Sequence, residues 1–220
     1  TLFRSRLLHA QRCVEFIARE GFSGRAESWH HDLGVAVFPE VAYPKARRFW
    51  RFCGEIVSTR QACHALGTRP SNVTEKEGAE ASQSICQRLA TLSGQQPEDV
   101  FLFPSGMAAN FAVHRMLTTL FPGRKTVQLD FPYVDVLKLQ QLFGSGAHFL
   151  PMVDAAEYDQ LASTLRAEQL SGIFCEAPSN PMLRCVDVQR LVQMRRELQP
   201  EVPLIIDDTV STVVHADALK

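Results

Sequence analysis

Apolar positions along this chain change their period part-way. From about Asn72 onward the pattern is regular. Ala81, Ile85, Leu89 and Leu92 recur at helical spacing, and Gly94 ends the run. Val100–Phe103 reads as a short apolar strand, followed by a helix over Gly106–Leu120 that Pro122-Gly123 closes. The alternation continues with a strand at Thr126–Leu129, a helix at Val134–Phe143 closed by Gly144, and a strand at Ala147–Leu150. Asp154 then caps a helix carrying Tyr158, Leu161 and Leu165. A strand follows at Ile173–Cys175, a helix from Asp187 through Leu191, Val192 and Leu198, and a strand at Pro203–Ile206. Short, wholly apolar strands alternating with helices of ten or more residues predict a mostly parallel sheet covered on both faces. The expected fold class is α/β, a three-layer α/β/α sandwich.

Residues 1–70 follow no such rule. Leu7, Leu8, Val14 and Ile17 keep a helical period that closes near Gly21. Val35–Phe38 is a strand candidate, and Pro44 is placed to begin a helix running through Phe49, Trp50 and Phe52 to Gly54. The block is aromatic, interrupted by prolines and short of regular pattern. It reads as an N-terminal arm, residues 1–70, lying on a main domain of residues 71–220 or on a neighbouring subunit.

Composition narrows the class. The 220 residues are 45% hydrophobic and 21% charged, enough for a sizeable core and unlike a disordered chain. A net charge of −1 supplies no basic field for nucleic acid, and no apolar run is long enough to span a bilayer. The opening Thr1-Leu2-Phe3 has no initiator methionine and no small-residue cleavage site, which predicts a chain cut from something longer rather than a signal peptide. Cys13, Cys86 and Cys175 sit inside apolar patterns, the spacings are wide and no Cys-x-x-Cys occurs. Buried reduced thiols in a cytoplasmic protein are expected, with neither disulfides nor a metal site; His30-His31 reads as a loop feature.

The chemistry lies where strands end. Gly172-Ile173-Phe174-Cys175-Glu176-Ala177-Pro178-Ser179-Asn180-Pro181 and Pro203-Leu204-Ile205-Ile206-Asp207-Asp208-Thr209 each read as an apolar strand ending in acidic and small polar residues. Ligands of open α/β sheets bind outside such carboxyl ends. An acid after Leu204-Ile205-Ile206 is poised to meet a cationic ring nitrogen, the electronic demand of pyridoxal phosphate. Asp207 and Asp208 are adjacent, so on a strand they point to opposite sides, and one acid in the site is expected. Pro104-Ser105-Gly106-Met107-Ala108-Ala109 joins a strand to a helix, a turn whose backbone amides at the positive helix end suit a phosphate. Tyr133, in Phe131-Pro132-Tyr133-Val134-Asp135, follows the next strand, where its ring can lie over a planar ligand. Gly144-Ser145-Gly146 lacks the third glycine of a dinucleotide fingerprint and precedes a strand. No Gly-x-Ser-x-Gly elbow or Walker loop is present, so hydrolase and nucleotide readings lose their support.

The order strand-Ser-Gly-Met, strand-Tyr, Glu-x-Pro-Ser-Asn-Pro, apolar-Asp-x-Thr, from Ser105 to Thr209, resembles the Cys/Met-metabolism family of pyridoxal-phosphate enzymes. Within it the chain is most like the cystathionine γ-synthase branch, with the Phe38-Pro39-Glu40 and Pro44–Trp50 stretches agreeing. The resemblance implies the large domain of an aspartate-aminotransferase-like fold. It also implies that Ser105, Gly106 and Met107 form the phosphate turn. Tyr133 would stack on the pyridine ring and assist proton transfer. Asn180 would lie near the phenolic oxygen, Asp207 would pair with the ring nitrogen, and Thr209 would lie close to the cofactor. Val134 and Asp135 replace the two glycines that follow this tyrosine in the family. Arg69, with Asn72 and Thr74, keeps an Arg-x-x-Asn-x-Thr spacing for a phosphate contact across a dimer, with Gly67 where the family has tyrosine.

What the resemblance implies for activity is γ-replacement on an O-acylated homoserine by cysteine, a step in methionine biosynthesis. Other reactions of the family (cystathionine or methionine lyase, homoserine sulfhydrylase) and a non-catalytic truncated relative stay open. Small amino-acid substrates, a homodimer or homotetramer and cytoplasmic residence follow from the same resemblance. The family's Schiff-base lysine belongs to a Ser/Thr-x-Thr-Lys segment. Lys220, in Asp217-Ala218-Leu219-Lys220, comes too early and lacks that context, so the chain is expected to stop before the catalytic lysine.

Overall fold

The computed structural model describes residues 2–29, 33–68, 74–215 and 218. Its chain divides into two compact units, Thr1–Ile85 with Leu102–Ala108, and Cys86–Phe101 with Ala109–Lys220.

The first unit is built on a three-stranded antiparallel sheet. Strands β1 (Leu2–Arg6) and β2 (Arg25–Ser28) flank a central β3 (Leu33–Val37). Helix α1 (Leu7–Arg19) buries Ala10, Cys13 and Ile17 and packs on β3. That spacing of three and four puts all three side chains on one stripe. Helix α2 (Tyr43–Cys53) carries Pro44 in its first turn, ends on Gly54 at φ +62° and buries Ala46, Phe49, Phe52 and Cys53. The rings of Phe16 and Phe49 meet at 5.9 Å. Buried Glu55 is gripped by two Arg12 nitrogens, Nε and Nη2, with Nε donating to Oε2 at 2.8 Å. Ser58 and Gln61 form a capping box that starts α3 (Thr59–Ala65).

Residues 1–70 therefore differ from an arm without regular pattern, since they close a core of their own. The pattern was hidden because the two outer strands, Leu-Phe-Arg-Ser-Arg and Arg-Ala-Glu-Ser, carry charges that blur a period of two. The apolar β3 recruits them by backbone pairing, which no side-chain pattern records.

The second unit holds a parallel four-stranded sheet in the order β5-β4-β6-β7, with β4 Thr126–Leu129, β5 Ala147–Leu150, β6 Gly172–Glu176 and β7 Leu204–Asp207. Helices α4 (Glu75–Ser93) and α5 (Gly106–Leu120) each contribute residues to both units; α6 (Val134–Phe143), α7 (Ala155–Ala167), α8 (Val188–Leu198) and the short α9 (Thr212–His215) follow. Alternate strand residues face opposite sides. On one face Val127, Leu129, Ile173 and Cys175 pack with Tyr158, Leu161 and Leu165 of α7 and Leu191 of α8 in a single buried cluster. On the other, α5 and α6 cover the sheet. Gln140 donates to Gln128 at 2.8 Å, Phe111 and Phe143 meet at 5.9 Å, and a Cβ at Gly172 would lie 2.8 Å from Leu117. Helices on both faces make the three-layer α/β/α sandwich. Val100–Phe103 is the exception. It forms no strand among the described residues, and Phe101 is 75% exposed. Apolar character makes a segment eligible for a sheet, but a ladder partner makes it a strand.

Loop ends are fixed by polar side chains. Asp154 caps α7 and Asp187 caps α8. The buried Gln199 amide donates to the carbonyls of Leu165 and Glu168 at 2.6 Å each, and its oxygen accepts the Leu170 N–H at 3.1 Å. No helix of the described residues is long and apolar enough to cross a membrane.

Candidate active site

Parallel register sets the carboxyl edge of the sheet. Leu129 pairs with Cys175, Cys175 with Ile206, and Glu176 with Asp207. The residue after β4 is Asp130, so three acids, Asp130, Glu176 and Asp207, stand in one row where the strands end. Each of the three is held differently.

Asp130 is fully buried, at φ +56°, and ion-paired with Arg184. The same guanidinium donates to the Pro151 carbonyl at 3.0 Å, and the Arg184 N–H donates to Ser179 Oγ at 3.2 Å. The chain segments after β4, β5 and β6 are tied together by this one residue. Glu176 is buried and accepts the Tyr133 N–H at 2.7 Å. Burial pushes its carboxyl above the ordinary range and the Asp207 charge adds to the push, while donation from the Tyr133 and Asn180 backbones opposes it. Asp207 is half-buried at the end of β7, and its Oδ1 accepts the Thr209 N–H at 3.1 Å together with the Thr209 hydroxyl.

Asp207 and Tyr133 line one cleft, with Asn110, Gln128, Phe174 and Glu176 among its other walls. Tyr133 precedes α6, is 49% exposed, and its hydroxyl donates to Asp135 at 3.3 Å. An exposed aromatic face beside a carboxylate suits a flat, cationic heterocycle. The donor set fits a pyridine ring whose nitrogen carries a proton. Cys175, also in the cleft wall, is no nucleophile: burial, reinforced by the charges of Asp130 and Asp207, pushes its thiol up to about 12.

Asn180 is exposed in the loop after β6, and its backbone engages Glu176; Thr209 is exposed in the loop after β7, on Asp207. The structure thus gathers Tyr133, Asn180, Asp207 and Thr209 around the ends of β6 and β7. Ser105, Gly106 and Met107 belong to the first unit. There Ser105 Oγ accepts the Ala108 N–H at 3.1 Å and caps α5, with Gly106 exposed and Met107 half-buried. Arg69 and Asn72 lie outside the described residues, as do His30, His31 and Lys220. In the sequence, Glu176 is part of a motif and carries no assigned role. A glutamate closing an apolar strand is the signal. Arg184 left none, because its partner Asp130 is 54 positions away.

The family model described as Cys/Met metabolism PLP-dependent enzyme matches residues 63–220. A cystathionine γ-synthase-like enzyme of Amanita muscaria is 27% identical, covering 94% of this chain and 44% of the relative. The cystathionine γ-synthase of Neurospora crassa is 34% identical over 73% of this chain and 25% of its own length. An alanine racemase of Aspergillus violaceofuscus is 29% identical over 88% of this chain and 39% of its own. The chain spans less than half the length of each of these relatives.

Proposed function

The chain belongs to the Cys/Met metabolism PLP-dependent enzyme family, and from that premise we propose that the full-length protein containing it acts as a cystathionine γ-synthase-like enzyme, replacing the γ-substituent of an O-acylated homoserine with the sulfur of cysteine. The observation that carries the reading is Asp207 at the carboxyl end of β7, sharing one cleft with the Tyr133 ring. Pyridoxal phosphate, the family's cofactor, supplies an electron sink to an amino-acid substrate when its ring nitrogen stays protonated.

The chain's own residues have separable tasks. Asp207 presents a carboxylate to the ring nitrogen, and Thr209 fixes its orientation through Oδ1. Tyr133 offers its ring face to the pyridine and its hydroxyl for proton transfer, and Glu176 anchors the Tyr133 backbone. Asn180 would stand near the phenolic oxygen, and the Ser105-Gly106-Met107 turn would receive the phosphate, where helix-end amides favour an anion. Arg69 is assigned a phosphate contact at a neighbouring site. Cytoplasmic residence, a role in methionine biosynthesis and a homodimer or homotetramer to which residues 1–70 contribute an interface belong to the same proposal.

Incubation of the full-length protein with pyridoxal phosphate, cysteine and O-acyl-homoserines tests it by mass spectrometry. Cystathionine is the expected product, and Asp207→Asn is expected to slow its formation about a hundred-fold or more. A second reading, another reaction of the family, is favoured by the similarity to a racemase over 88% of this chain. Oxo acid and ammonia, or a racemised amino acid, in place of cystathionine would select it.

A further inference from the structure

The C-terminus of α2 touches the turn assigned to phosphate. A Cβ built on Gly54 would lie 2.6 Å from the Ala108 nitrogen, 2.8 Å from Ser105 Oγ and 2.9 Å from the Met107 carbonyl carbon. Two of these three atoms are backbone, which no rotamer change can move aside. The third completes the hydrogen bond between Ser105 Oγ and the Ala108 N–H. A methyl group at position 54 would thus sit on both ends of the cap bond that starts α5, and Gly106 and Met107 lie between those ends. The same residue sits at φ +62°, where it terminates α2. Gly54 meets two demands at once, a left-handed backbone and an approach that tolerates only a hydrogen.

We propose that Gly54 is a positioning residue for phosphate binding, its bare Cα acting as the template against which the Ser105-Gly106-Met107 turn takes its shape. The inference rests on the assignment of that turn to the cofactor phosphate. Helix-end amides hold an anion only when they converge on it. A turn pushed outward by the width of a methyl group would lose its cap and spread those amides. A merely structural glycine would lower stability and leave affinity alone.

The chain supplies its own control. Gly94 has φ +67° and a Cβ there would meet nothing within 4 Å. Gly94→Ala therefore carries the left-handed strain without the collision. Affinity for pyridoxal phosphate and for inorganic phosphate is measured by fluorescence titration in the wild type, Gly54→Ala and Gly94→Ala. Gly94→Ala is expected to bind within two-fold of wild type, and Gly54→Ala at least ten-fold more weakly. Equal affinities in the two variants would overturn the proposal. Amide chemical shifts of the wild type during the phosphate titration decide the matter should Gly54→Ala not fold. Gly54 and Ala108 are expected to move with the same midpoint as Gly106 and Met107. If Gly54 and Ala108 stay still while Gly106 and Met107 move, the template role fails and the phosphate turn stands. If Gly106 and Met107 stay still, the turn assignment itself fails and the template role with it.

Discussion

His114 shows how a single buried group sets a pH limit. It lies on α5, fully enclosed, and burial drives its pKa down from 6.5 to about 4. The folded protein keeps the ring neutral, whereas the unfolded chain takes up a proton below pH 6.5. Stability from this residue is therefore complete above pH 6.5 and is lost as the pH falls towards 4. The loss amounts to on the order of 3 kcal/mol. Urea unfolding of the wild type and His114→Leu at pH 7 and pH 4 measures it. The variant is expected to lose less stability between the two, and identical losses would mean that the ring is hydrated. Residues of this kind give no sequence signal, because a lone histidine on a helix reads the same buried or exposed.

Among the elements, α7, β6 and α8 are coupled by one side chain. Gln199 follows α8 and satisfies two carbonyls at the end of α7 and the N–H of Leu170 just before β6. An apolar replacement keeps the volume and strands three polar groups, two of them buried. Gln199→Leu is expected to cost about 3 kcal/mol, read as a lower denaturation midpoint with an unchanged slope. A cost below about 1 kcal/mol would show that water reaches those groups. The helices and strands themselves were legible in sequence. Asp154 caps the helix it was expected to cap, the helix expected from Asp187 starts there, and β4 to β7 fall on the apolar runs. The strand expected at Val100–Phe103 fails for want of a partner, and β1 and β2 were missed because they form only by pairing with β3.

At the scale of the whole molecule, burial redistributes the aromatics of residues 1–70. Phe38, Phe49 and Phe52 are spent inside the first unit, while Tyr43 and Trp50 on α2 remain 47% exposed each. Exposed Trp and Tyr are enriched at protein interfaces, so any intersubunit contact by this segment is assigned to them. Tyr43→Ser with Trp50→Ser is expected to shift sedimentation toward the monomer and leave the unfolding midpoint within about 0.5 kcal/mol, as surface changes do. An unchanged sedimentation profile would show that α2 faces only solvent.

The sequence by itself determined the alternation of strand and helix, the helix caps, the family and the positions of Tyr133 and Asp207 at strand ends. These are local or periodic properties, written within a few residues of where they act. Tertiary structure decided everything that depends on distant partners. It placed Asp130, Glu176 and Asp207 in one row through strand register, neutralised the first with Arg184 and bound the second to the Tyr133 backbone. It also brought Gly54 against the start of α5. Register and close approach arise from backbone pairing and excluded volume between segments far apart in the chain, and neither leaves a periodic trace in the order of residues.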